Sequence, residues 1–371
     1  MRARFNKQES GSVLDALKGY VTGTKELVSE MYVRLGGLKT IRILLFYPGA
    51  EAMIRRQLSW VLCDAVAEPD ATVWMWKEES FRELPDHALG RLDFIDSNES
   101  DWLEIFCDDG ISGSGTLCGT VDMTGKWNAH FRIGNEYFYG INSSMGPGDW
   151  LTYGNHIFYE AFFRIMDTPS SAFIHGACVG TGDNGLLICA RGGRGKSTLS
   201  VLAMLRGFSY VSDDYMVMAS TDHGLAISPI YSYISLSPDM YDRMFDDLGK
   251  ARFLGVSPWK GKYIIDISAY SDRLRSNYPI KAAVFPQIDT EAAQPSIRPC
   301  TPMEKNRAIV QVAHSTLSQI YQKAFAGGQA DPAFILKTVR MLSSGLPFYH
   351  MTLCPDLDAN VGCLESFASN L

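Results

Sequence analysis

The fold is decided by the stretch at residues 173–215, which reads FIHGACVGTGDNGLLICARGGRGKSTLSVLAMLRGFSYVSDDY. Its apolar runs predict two strands, Ala172–Val179 and Leu186–Cys189, joined by a tight turn at Gly182–Gly185. Leucines at helical spacing then predict a helix that begins in a Gly-rich loop and ends at Gly207. A strand that feeds a Gly-rich loop and a helix is the arrangement of an α/β phosphate-binding core.

The loop itself, Ala190–Ser197, has the A/G-x-x-x-x-G-K-S/T form of a phosphate-binding loop. Its glycines let backbone N–H groups approach phosphate oxygens, and the following helix adds the positive end of its dipole. The lysine would reach the β- and γ-phosphates of ATP, and the serine hydroxyl would bind Mg²⁺. The alternative, a Gly-rich surface turn, is disfavoured by the flanking strand and helix. The predicted nucleotide-binding residues are Gly192, Gly193, Arg194, Gly195, Lys196, Ser197 and Thr198.

Two adjacent carboxylates, Asp213 and Asp214, follow a strand predicted at Phe208–Val211. Acids at the end of a strand beside a phosphate loop lie where Mg²⁺ and an attacking hydroxyl need acceptors. The alternative is an acidic turn on the surface. His175, in the apolar run before the loop, is a further candidate, although a lone histidine on a strand is more often structural.

Taken together, residues 173–215 resemble the core of the HPr kinase/phosphorylase family, including the related kinases encoded with peptide-biosynthesis genes. The shared order comprises a His-Gly strand, a hairpin, the phosphate loop, a helix ending in Arg-Gly and a strand ending in Asp-Asp. Here the ends of that order are His175-Gly176, Arg206-Gly207 and Asp213-Asp214. The resemblance covers some forty residues and fades on either side.

The resemblance implies a role for each of these side chains. One of Asp213 and Asp214 would be the general base for the acceptor hydroxyl, and the other would help Ser197 to hold Mg²⁺. His175 would orient or tune the pair, and Lys196 would stabilise charge on the transferred phosphoryl group. Which aspartate is the base stays open. The family also suggests a homo-oligomer.

Three basic residues beyond the core, Lys262, Arg273 and Arg275, are weaker candidates for phosphate contacts, and a solvated basic face is the ordinary alternative. The chain has no clear counterpart of the segment that carries the phosphorylase signature in HPr kinases. The resemblance therefore leaves open whether the chain has a dephosphorylating activity and whether HPr is its substrate.

The rest of the chain predicts a second domain. A strand is predicted at Thr40–Tyr47, and apolar residues at helical spacing predict helices over Glu51–Val66 and Asn155–Met166. Alternating runs predict strands at Ala71–Lys77, Trp102–Asp108, Leu117–Asp122, Trp127–Ile133 and Tyr137–Ile141. We expect an α+β protein with two domains. Residues 1–165 would form an α+β domain rich in antiparallel strands that recognises a peptide or partner, and residues 166–371 a phosphate-loop domain with a mixed sheet.

Composition narrows the function. The formal net charge is −7 and the basic residues are scattered, so we expect no nucleic-acid binding. No apolar segment approaches the ~20 residues needed to span a bilayer, and the N-terminus lacks the apolar middle of a signal peptide, which predicts a cytoplasmic protein without membrane contact. The eight cysteines include no C-x-x-C pair, so neither zinc nor a disulfide framework is indicated.

These observations predict an ATP- and Mg²⁺-dependent kinase that phosphorylates Ser or Thr on a peptide or small protein. Two alternatives remain. The first is a regulatory module that binds ATP without transferring a phosphoryl group. The second is a small-molecule or phosphoenolpyruvate carboxykinase-like phosphotransferase, because related phosphate-loop folds serve those reactions.

Overall fold

The computed structural model describes residues 2–6, 10–78, 93–96, 102–108, 116–122, 129–142, 158, 161–166, 168–190, 192–249, 251–256, 261–324 and 332–371 of the 371-residue chain. Arg191 and the first residues of the elements predicted at Trp127–Ile133 and Asn155–Met166 lie outside the described residues. The chain forms two compact units. Unit 1 comprises Met1–Val33, Thr40–Ile54 and Leu62–Trp150, and unit 2 comprises Arg34–Lys39, Arg55–Val61 and Leu151–Leu371. The limits and roles predicted for the two domains stay predictions.

A ten-stranded sheet dominates the first half of the chain. Its strands are β1 (Arg2–Asn6), β2 (Ser29–Leu35), β3 (Lys39–Phe46), β4 (Leu62–Cys63), β5 (Ala71–Glu78), β6 (Asp93–Asp96), β7 (Trp102–Asp108), β8 (Thr116–Asp122), β9 (Ala129–Ile133) and β10 (Glu136–Asn142). They lie in the order β4-β2-β3-β5-β10-β9-β8-β7-β1-β6. The pairs β7–β8, β8–β9 and β9–β10 are antiparallel, as in a meander, whereas β3–β5, β5–β10 and β1–β7 are parallel.

Neighbouring parallel strands of this sheet stack their aromatic side chains. Trp74 on β5 lies between Phe46 on β3 and Phe138 on β10, with ring centroids 5.8 Å and 5.7 Å apart. Flat aromatic surfaces on adjacent strands favour such pairs, which stabilise the register.

Unit 2 contains a nine-stranded and a three-stranded sheet. Their strands are β11 (Ser171–His175), β12 (Ala177–Thr181), β13 (Asn184–Ile188), β14 (Ser209–Ser212), β15 (Tyr215–Thr221), β16 (Gly224–Pro229), β17 (Tyr233–Leu236), β18 (Arg252–Val256), β19 (Tyr263–Asp266), β20 (Tyr278–Ile288), β21 (Ser296–Pro299) and β22 (Phe348–Leu353). The larger sheet follows the order β11-β15-β16-β20-β13-β12-β14, with β22 beside β20 and β21 beside β22. It is mixed, because β20 runs parallel to β13 and β22 while the other pairs are antiparallel. The smaller sheet has the order β17-β19-β18.

The helices are α1 (Ser10–Thr24), α2 (Glu51–Gln57), α3 (Lys196–Leu205), α4 (Pro238–Met244), α5 (Pro302–Ala324), α6 (Pro332–Ser343) and α7 (Leu357–Ser369), and residues 161–166 are also helical. Helix α3 packs on β12 and α7 around a core that includes Leu186, Leu202 and Val361. The predicted α+β class, with a mixed sheet after residue 166, is confirmed. Within the described part of the chain, no helix combines the length and apolar character needed to cross a membrane.

Two predicted elements differ from the structure. The strand predicted at Ala172–Val179 is broken at Gly176 into β11 and β12, which pair with different strands. A Cβ atom at position 176 would lie 3.0 Å from the Ile188 carbonyl oxygen. This close approach favours a glycine at the break between the two strands. The helix predicted over Glu51–Val66 ends at Gln57, because the Gln57 carbonyl accepts from Ser232 N at 2.8 Å instead of from a residue one helical turn later.

Candidate active site

Two strand junctions bring the predicted site residues together. The chain passes from β11 to β12 at Gly176, and from β14 to β15 at Asp213-Asp214. Because β11 pairs with β15 while β12 pairs with β14, the two junctions face each other, and Gly176 N donates to the Asp214 carbonyl at 2.9 Å. His175 and both aspartates thus lie at the same point of the sheet.

The predicted phosphate loop links β13 to α3. Gly193 and Gly195 adopt left-handed φ angles of 74° and 83°, which an L-residue reaches only with strain, and α3 begins directly after Gly195. Gly192, Gly193 and Arg194 are exposed. The helix N-terminus therefore presents its backbone N–H groups beside an exposed glycine loop, the geometry that binds phosphate.

Lys196 lies beneath this loop. Its side chain is buried, and Nζ donates to the Ala190 carbonyl oxygen at 2.7 Å, across the loop. Burial lowers the pKa of Lys196, and the positive charge of Lys262 adds to the effect, while Cys189, Asp214 and Asp213 oppose it. The ammonium group is thus close to both aspartates and tethered to the loop.

Asp213 is a buried carboxylate. It is 3% exposed, and within the described residues neither side-chain oxygen makes a hydrogen bond of normal length and angle. Burial and, to a smaller extent, the negative charge of Asp214 raise the pKa of Asp213 to about 6. Lys262 and the hydroxyls of Ser197 and Tyr210 act in the opposite direction, which places all three groups near this carboxylate.

Asp214 pairs with the predicted histidine. His175 Nε2 lies 3.4 Å from Asp214 Oδ1, and the Asp214 side chain keeps 21% of its surface exposed. The histidine is fixed from two sides, since its backbone N donates to Thr316 Oγ1 at 3.0 Å and its ring lies 5.1 Å from that of Tyr215. The pair can accept and hold a proton from a group that reaches Asp214.

The oxygen groups at Asp213 suit a hard cation. Mg²⁺ prefers one or two carboxylates together with phosphate and water oxygens. Asp213 provides two buried oxygens without a full hydrogen bond, and the Ser197 hydroxyl lies close to them. These residues fit the predicted metal, and Asp214 directly follows Asp213 in the chain.

The three basic candidates beyond the core differ in the groups that they interact with. The charge of Lys262 reaches Asp213 and Lys196, as a phosphate-contacting residue would require. Arg273 and Arg275 instead donate to backbone carbonyls, Arg273 to Met204 at 3.5 Å and Arg275 to Asp272 at 3.0 Å. These backbone contacts give no support for a role of the two arginines in binding phosphate.

Three residues have roles at the site that the sequence did not reveal. Thr316, 141 residues from His175, holds its backbone. Gly176 allows the chain to turn between β11 and β12. The Tyr210 hydroxyl interacts with Asp213, although side chains that alternate along a regular strand would put residues three apart on opposite faces.

Comparison with known proteins adds little. The Hpr(Ser) kinase/phosphatase from Coxiella burnetii is a weak structural neighbour, with a TM-score of 0.29 and 14% identity over 53% of this chain and 94% of that protein. No protein-family model and no curated protein matches the chain.

Proposed function

We propose that this chain is a kinase that transfers the γ-phosphoryl group of ATP to a Ser or Thr hydroxyl of a peptide or small protein. One observation carries the proposal: the phosphate loop with Lys196 lies beside a buried carboxylate, Asp213, and a histidine-paired carboxylate, Asp214. A module that only binds nucleotide needs the loop, but it does not need a carboxylate and histidine pair beside the phosphates.

The residues of the site have different roles in the transfer. The loop amides and Lys196 bind the β- and γ-phosphates and stabilise negative charge that moves toward the β-phosphate. Asp214, oriented by His175, accepts the proton of the acceptor hydroxyl. The acceptor oxygen then forms a bond to the γ-phosphorus as the bond to the bridging β,γ-oxygen breaks, and ADP leaves with that oxygen.

The two aspartates have different surroundings, which suggests different roles. Asp213, buried beside the Ser197 hydroxyl, is suited to hold Mg²⁺ with that hydroxyl. Bound Mg²⁺ would neutralise charge on the β- and γ-phosphate oxygens. Asp214, more exposed and 3.4 Å from His175, is suited to meet the acceptor.

The acceptor class follows from the resemblance of residues 173–215 to kinases of proteins and peptides. Mass spectrometry tests it with Mg·ATP and a panel of peptides that contain Ser or Thr, each beside its Ala counterpart. A gain of one phosphoryl group on a hydroxyl peptide alone, lost in Lys196→Ala and Asp214→Asn, is the expected result.

Two other outcomes would replace this proposal. ATP binding that depends on Lys196, without any acceptor gaining mass and without ADP release, would favour the regulatory module. ADP release that depends on added metabolites rather than peptides would favour the small-molecule phosphotransferase.

A further inference from the structure

Residues 55–61 form a short segment of unit 2 that is held by the core of that unit. Trp60 N donates to Ser232 Oγ at 2.9 Å, and Ser232 N donates to the Gln57 carbonyl at 2.8 Å. Arg56 Nε lies 3.8 Å from Asp266 Oδ2. These contacts hold both ends of the turn that follows α2.

The segment places the Trp60 indole against the ring of Tyr210. The ring centroids are 6.4 Å apart with an interplanar angle of 73°, an edge-to-face contact. Tyr210 is fully buried, and its backbone is fixed by Arg273 O and Arg275 N, each at 2.8 Å. Tyr210 is therefore held at its backbone by hydrogen bonds and at its ring by Trp60.

A β-bulge in β14 determines where Tyr210 points relative to Asp213. Tyr210 lies opposite Val179, but Ser212 rather than Val211 lies opposite Cys178, so β14 contains one extra residue. The extra residue resets the alternation of side chains. Tyr210 and Asp213, three residues apart, consequently face the same side.

The groups that meet there are both buried. Within the described residues, neither the Tyr210 hydroxyl nor either Asp213 oxygen makes a full hydrogen bond. The Tyr210 hydroxyl nevertheless lies close enough to the Asp213 carboxylate for the two groups to interact. A small movement of either side chain would complete a bond between them.

We propose that Tyr210 is a positioning residue of the phosphotransfer site, whose hydroxyl orients the Asp213 carboxylate toward the metal, and that Trp60 holds the Tyr210 ring in place. The inference rests on the proposed function. A carboxylate with two unbound oxygens can rotate, and one donor that binds the first oxygen directs the second toward a cation. Such supporting contacts typically change metal affinity about 10- to 100-fold.

The test measures binding of a non-hydrolysable ATP analogue by calorimetry, with Mg²⁺ and with EDTA. In Tyr210→Phe, the affinity gained from Mg²⁺ should fall about 10-fold or more while the affinity in EDTA stays unchanged. Trp60→Ala should show the same loss, and Trp60→Phe should restore most of the affinity. The matched control is Tyr278→Phe, which removes a hydroxyl that donates to the Gly182 carbonyl elsewhere in the unit.

Thermal unfolding in EDTA at pH 8 separates this inference from the proposed function. The drop in midpoint caused by Tyr210→Phe should be larger in the wild type than in Asp213→Asn, because the hydroxyl has a charged partner only in the former. Equal drops would show that Tyr210 does not hold Asp213, even if the protein is a kinase. If the wild type bound the ATP analogue with the same affinity in Mg²⁺ and in EDTA, both the metal role and the proposed function would be wrong.

Two results would overturn the positioning role directly. The first is a Tyr210→Phe variant that gains as much affinity from Mg²⁺ as the wild type. The second is an equal loss of affinity with Mg²⁺ and with EDTA, which would mean that Tyr210 only supports the fold. Normal Mg²⁺-dependent binding in Trp60→Ala would remove the segment at 55–61 from the proposal.

Discussion

The phosphate loop lies at the surface, with Gly192, Gly193 and Arg194 exposed, whereas the acidic bend at Asp213 and Asp214 lies in or near the interior. The loop is defined by backbone conformation and by the helix dipole, both of which are local. The bend depends on neighbours from distant parts of the chain, among them His175 and Lys262. Loop substitutions should therefore change phosphate binding, and bend substitutions should separate chemistry, metal binding and stability from one another.

The largest effect is expected where the loop meets the bend, at Lys196. Lys196→Ala removes a side-chain ammonium that contacts the loop, so phosphotransfer should fall about 1000-fold, as when a charge-stabilising donor is lost. Initial rates of peptide phosphorylation measure this loss. Lys281→Ala, which removes an exposed lysine on β20, is the control. A decrease of less than tenfold would mean that the loop does not bind the transferred group.

Within the bend, substitution of Asp214 should slow the phosphoryl transfer step rather than weaken nucleotide binding. Asp214→Asn keeps the shape but cannot accept a proton, so kcat should fall about 100-fold or more while the affinity for Mg·ATP changes little. His175→Gln should give a smaller decrease, because it removes only the orienting partner. Steady-state kinetics at saturating ATP checks both. A loss confined to ATP affinity would move Asp214 to the metal side of the site.

The two regions also differ in how far the sequence predicts them. The loop, α3 and the hairpin before the loop were predictable, because a strand, left-handed glycines and a helix start are encoded within about twenty residues. The parallel pairs of the first sheet, such as β3–β5, were not, since each joins strands separated by a long connection. Alternation of apolar residues identifies a strand but does not select its partner.

The candidate site was predictable as a set of residues but not as an arrangement. The break at Gly176 turns a predicted continuous strand into two strands with different partners, and this is what places His175 beside Asp214. The bulge in β14 similarly places Tyr210 with Asp213. Both features depend on pairing between segments, which local patterns do not encode.

The buried charge of Asp213 should cost stability. The pKa of Asp213 is raised from its usual 3.8 to about 6, so the folded state binds more protons than the unfolded state between these values. The free energy of unfolding therefore falls as pH rises through this window, by ~3 kcal/mol in all, and stays lower above pH 6. Asp213→Asn removes this cost.

Urea unfolding in EDTA at pH 4.5 and at pH 8 measures the effect. We expect Asp213→Asn to be more stable than the wild type at pH 8, by up to ~3 kcal/mol, and the advantage to shrink at pH 4.5. In a parallel series with Mg²⁺ and nucleotide instead of EDTA, the variant should lose the stabilisation that these ligands give to the wild type. A variant that is less stable than the wild type at pH 8 would show that the carboxylate is held by its neighbours better than its burial suggests.

The smallest effects test the loop, through glycines that differ in conformation. An alanine at Gly195 would take φ of 83° and bring Cβ to 3.0 Å from Leu353 Cδ1, whereas one at Gly192 meets nothing within 4 Å. Left-handed φ costs an L-residue about 1–2 kcal/mol, so Gly195→Ala should lower the free energy of unfolding by at least that amount. Gly192→Ala should leave it unchanged or slightly raised, because alanine restricts the unfolded chain. Urea unfolding of both variants measures the difference. Equal stabilities would mean that the loop is not held in the left-handed conformation on which its proposed phosphate binding depends.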